Sequence, residues 1–68
     1  MITHTKEYGV YHWDTFDNET FLVKEFNKLE DAEAYVQSRY KGRIGVHGAD
    51  KVDIVDSKGN VIHSYSVS

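Results

Sequence analysis

Asn27-Lys28-Leu29-Glu30-Asp31-Ala32-Glu33-Ala34-Tyr35-Val36-Gln37-Ser38-Arg39-Tyr40-Lys41-Gly42 is the stretch on which the fold turns. Leu29, Ala32, Val36 and Tyr40 recur at helical spacing and make one apolar stripe. Asn27 and Glu30 match a capping box, and Glu30, Asp31 and Glu33 crowd the first turns, where the helix dipole favours anions. Arg39 and Lys41 stand in the last turn, where it favours cations, and Gly42 suits the position past the end. A helix is predicted over residues 28–41.

Either side of it the pattern changes to β-formers. Residues 7–13 and 20–26 read as two strands joined through the polar turn Asp14 to Asn18, an antiparallel hairpin. Residues 50–56 and 61–67 read as a second pair, with Ser57-Lys58-Gly59-Asn60 as the turn. The glycine-rich stretch 42–48 is expected to be a loop. The order strand–strand–helix–strand–strand points to one α+β domain over residues 1–68, a helix packed on a four-stranded antiparallel sheet. Strand order is not readable. The expected core is Val10, Leu22, Phe26, Leu29, Ala32, Val36, Tyr40, Val52, Ile54 and Ile62.

Composition narrows the function. The chain has 68 residues, no cysteine and a net charge of −3. Disulfides and thiolate chemistry are excluded, and general nucleic-acid affinity is disfavoured. Eight acidic and three basic side chains fall in residues 1–33, against three acidic and five basic in 34–68. The first half therefore favours a basic partner. Apolar runs are too short for a membrane span, and Met1 to Lys6 lacks an apolar signal core, so a cytoplasmic location is expected.

Chemical motifs are weak throughout. His4, His12, His47 and His63 show no metal-ligand spacing, although His12 and His63 are expected on strands that could meet. The segment Gly42-Arg43-Ile44-Gly45-Val46-His47-Gly48 has the composition of an anion-cradling loop. It follows a helix instead of opening one, so a structural role is the better reading. No nucleophile–base arrangement emerges, and neither enzyme activity, cofactor nor metal is expected.

Aromatic content is the informative signal. Nine rings in 68 residues exceed what so small a core can hide, and Tyr8, Tyr11, Trp13, Phe16 and Phe21 crowd the first hairpin. If Val10 faces the helix, alternation turns Tyr11 and Trp13 to the opposite face. Tyr11 and Trp13 are the candidate anchors for a larger protein partner, with Asp14, Asp17 and Glu19 as rim charges. The alternative is a nucleic-acid module that adds Arg39, Lys41 and Arg43 to the same rings. An exposed edge strand also allows a homodimer.

The segment Leu29-Glu30-Asp31-Ala32-Glu33-Ala34, the helix end at Tyr40 and the strand Val52-Asp53-Ile54 resemble small bacteriophage-encoded inhibitors of host RNA polymerase. Those proteins combine a small sheet with one helix. Val52 to Tyr65, with its Asp56-Ser57-Lys58-Gly59-Asn60 turn, is similar to the closing hairpin of uncharacterised bacterial strand–strand–helix–strand–strand proteins. The resemblance implies a protein that acts by binding and inhibits or modulates a larger host protein. It carries over no functional residue.

Overall fold

Two aspartates set the two hairpins of the computed structural model, which describes residues 4–45 and 48–67. Asp14 ends strand β1 (Tyr8–Asp14), and its Oδ1 accepts from the backbone N–H of Phe16 at 2.9 Å and of Asp17 at 3.4 Å. Asn18 takes a left-handed φ of 54° and leads into β2 (Glu19–Phe26). A short polar side chain tolerates that conformation. Asp56 does the same at the end of β3 (Asp50–Asp56), accepting from the N–H groups of Lys58 and Asn60 at 2.9 and 2.8 Å. Gly59 supplies the φ of 88° that closes this turn into β4 (Val61–Val67). The hydrogen bond from the Asn60 backbone does most to hold the Asp56 carboxyl below its usual range.

The sheet order is β2-β1-β3-β4, all neighbours antiparallel. The hairpins therefore join through β1 and β3, with Val10 opposite Ile54 and His12 opposite Val52. β2 and β3 run parallel on either side of β1, so the helix α1 (Leu29–Arg39) crosses over β1 between them. His12 and His63 do not meet, because β3 lies between their strands.

The helix begins later and ends earlier than its sequence signals suggest. Its cap is Lys28, in extended conformation and without a side-chain cap bond, so Asn27 forms no capping box. Glu30 and Asp31 still complement the dipole in the first turn. At the far end the Arg43 N–H reaches the Tyr40 carbonyl at 2.8 Å, and Gly42 adopts the expected positive φ.

Ala32, Val36 and Tyr40 come down on Val10, Val52, Ile54 and Val67, which together form the buried core. Phe26 and Leu29 pack against it half-buried. Two expected core residues lie elsewhere. The β1–β2 register slips between Val10 and Tyr11, so that Lys24 faces Val10 but Leu22 faces Tyr11. One extra residue in β2 thus turns Leu22 to the face away from the helix. A second slip, opposite Ile54 and Val55, leaves Ile62 out of register and 39% exposed. Val67 takes a core place that the sequence reading did not assign.

The loop after the helix is pinned to β4. Ile44 bridges Val67, and the Gly45 N–H donates to the Ser66 carbonyl at 3.0 Å. Gly48 lies so close to the Val67 backbone that a Cβ would stand 2.5 Å from its atoms, whereas a Cβ on Gly45 would meet nothing. Backbone cannot swing aside as a side chain can. Gly48→Ala is expected to lower stability by about 1–3 kcal/mol. Gly45→Ala should stay within about 0.5 kcal/mol of wild type. Equal thermal melts for the two variants would contradict this packing.

Candidate aromatic interaction surface

The anchor residues picked from the sequence separate in the structure. Tyr11 and Trp13 do share the sheet face opposite the buried Val10. Tyr11, however, is occupied by its own chain. Its hydroxyl accepts the backbone N–H of His4 at 3.2 Å and lies 2.7 Å from His4 Nδ1. His4 is 8% exposed and its ring sits in a notch over Gly9, where a Cβ would come within 2.7 Å of Nδ1. Only glycine leaves room for it. The backbone N–H groups of Thr5 and Lys6 both donate to the Glu25 carboxylate. The Thr5 bond does most to keep that carboxyl below its usual range. Residues 4–6 thus strap part of the open face.

Trp13 is 39% exposed, with its indole N–H directed at Asn18 Oδ1 at 3.4 Å. Two rings flanking it are more exposed: Phe16 in the turn at 94% and Phe21 on β2 at 50%. Phe21 lies opposite His12 and stacks on its imidazole, 5.3 Å between centroids at 10°. Trp13 and Phe21 therefore sit on opposite faces of the hairpin, with Phe16 between them in the turn. Asp17 and Glu19 are exposed beside these rings, while Asp14 is engaged in the turn it caps.

A hydrogen-bond chain holds this hairpin end in place. His12 Nε2 lies 3.1 Å from Asp50 Oδ2, and Nδ1 lies 2.9 Å from the Tyr40 hydroxyl. A carboxylate can only accept, so in the neutral imidazole Nε2 carries the proton and Nδ1 accepts from Tyr40. Asp50 Oδ1 in turn accepts from the backbone N–H and hydroxyl of Thr15 at 3.1 and 2.9 Å. The His12 bond is the main cause of the lowered Asp50 carboxyl pKa, and burial raises that of Tyr40. Helix end, first strand, turn and third strand are tied through four side chains. No sequence spacing signals it, since His12, Asp50 and Tyr40 come from three separate elements.

Two of the three cations of the nucleic-acid reading, Arg39 and Arg43, lie elsewhere. The Arg39 and Arg43 guanidinium groups stand 5.3 and 5.4 Å from the Tyr40 ring, in the helix layer and not on the face of Tyr11 and Trp13. Of the glycine-rich loop, Val46 and His47 lie outside the described residues. Among the described residues no group of three metal-ligating side chains forms, and no helix is long and apolar enough to cross a membrane. Comparison with protein-family models, curated proteins and solved structures finds no significant match to this chain.

Proposed function

We propose that this protein is a protein-interaction module whose contact surface is the end of the β1–β2 hairpin. The observation that carries the reading is the exposure of Trp13, Phe16 and Phe21 around one hairpin end. Large exposed rings with a polar rim are the composition of a binding hot spot. Rings on both faces and in the turn suit insertion into a cleft better than docking on a flat surface. Residues 14–23 carry three acidic side chains and no basic one, so the partner's cleft is lined by basic residues. The resemblance to phage inhibitors favours modulation of a larger host protein as the outcome. The nucleic-acid alternative has less support, because Arg39 and Arg43 flank Tyr40 in the helix layer.

Affinity capture from nuclease-treated host lysate tests the reading with three baits: wild type, Trp13→Ala and Phe16→Ala. The expected result is one stoichiometric protein retained by wild type. Each variant should weaken the complex by about 2 kcal/mol, roughly 30-fold. Phe16 is 94% exposed, so its loss leaves the fold intact. Equal retention by all three baits, or capture that disappears with nuclease, would overturn the assignment.

A further inference from the structure

We infer that strand β4 is a self-pairing edge, through which two copies of this chain join into one continuous eight-stranded sheet. The sheet has two edges, β2 and β4. They differ in how they are guarded. β2 carries Glu19, Lys24 and Glu25; a register slip occurs in both edge strands, in β2 against β1 and in β4 against β3, so charge is what separates them. Charges on an edge oppose pairing with another chain. β4 reads Val-Ile-His-Ser-Tyr-Ser-Val, and is the one strand of the four without Asp, Glu, Lys or Arg. It holds no proline, and Val61 and Ile62 are 56% and 39% exposed.

The backbone shows where a second strand fits. The Ser66 carbonyl points outward, since it accepts the Gly45 N–H from the flanking loop. Alternation along the strand directs the Ser64 N–H and C=O to the same side. The loop at Ile44 and Gly45 meets the edge at residues 66–67, and among the described residues no loop hydrogen bond reaches the backbone of 63–65. The side chains of this window tolerate their own copy. His63 is paired with Glu33 of the helix at 2.6 Å, and Ser64 and Tyr65 are neutral. An antiparallel copy thus meets no like charge directly opposite, which a strand such as β2 would. The arrangement is isologous and closes as a two-fold dimer. β4 and the β1–β2 hairpin are at opposite sides of the sheet, so the dimer displays two hairpin ends.

Sedimentation velocity over a wide concentration range, read together with amide hydrogen exchange, tests the inference. Mass is expected to rise from the 7.8 kDa monomer to twice that value as concentration increases. Exchange at the Ser64 amide should slow in step. Ser64→Pro removes the outward N–H without touching the β3 ladder, and Ser64→Lys places a charge on the edge. Both should stay monomeric while keeping the wild-type circular dichroism. Should the proline variant not fold, the lysine variant still decides. Phe16→Ala should dimerise like wild type, which separates this interface from the hairpin surface. A protein that stays monomeric at every concentration overturns the inference, as does a dimer in which the Ser64 amide exchanges as fast as in the monomer.

Discussion

Tyr40→Ala should unfold much of the population at room temperature, and Tyr40→Phe should cost a smaller, measurable amount. Tyr40 is the largest side chain of the core, 2% exposed, at the point where the helix meets the sheet. Truncating a buried aromatic costs about 3–5 kcal/mol. A domain of this length has roughly 3–10 kcal/mol in total. Tyr40→Phe keeps the ring but leaves His12 Nδ1 without its donor, an unpaired and largely buried acceptor worth about 1–3 kcal/mol. Urea denaturation followed by circular dichroism measures both. A double-mutant cycle with His12→Ala gives the coupling, since among the described residues the hydroxyl bonds to that ring. If Tyr40→Phe were as stable as wild type, the chain from Tyr40 through His12 to Asp50 would have no part in holding the hairpin.

Ile54→Ala is expected to cost about 2–5 kcal/mol, while Ile62→Ala stays within about 0.5 kcal/mol. The two residues look alike in the sequence: each is an isoleucine inside a β-forming run, and alternation alone places both in the core. In the structure Ile54 is fully buried opposite Val10, under the helix, whereas Ile62 falls at a register slip and is 39% exposed. A cavity opens at the first site, and water already reaches the second. Chemical denaturation of the two variants side by side checks the contrast. Comparable losses would mean that Ile62 faces the core after all.

The candidate surface was only partly legible. Trp13 and its acidic neighbours could be placed on the hairpin from alternation and turn chemistry. Tyr11 looked equivalent, two residues away on the same face, yet His4 lies against it. That contact depends on residues 4–6 folding back over Gly9, which no periodicity records. Phe16 and Phe21 stood out as aromatic, but their exposure depends on what the helix leaves uncovered. The helix ends at Arg39 and Tyr40 just past it reaches His12, while Phe16 stays 94% and Phe21 50% exposed.

Element boundaries follow from forces that act within a few residues. Apolar spacing, the acidic first turn, the Asp14 and Asp56 turns and the positive-φ glycines Gly42 and Gly59 are local. The four strands accordingly fall within one residue of their expected limits. The helix starts one residue late, at Leu29, with Lys28 in the cap position and no side-chain cap bond. Strand order, the two register slips and the chain linking Tyr40, His12, Asp50 and Thr15 come from pairings between distant segments. A slip of one residue barely changes the local pattern, yet it reverses which face a side chain meets. That is why Leu22 and Ile62 left the core while Val67 entered it: the choice was made by the ladder each strand joined and by the one face the helix could cover.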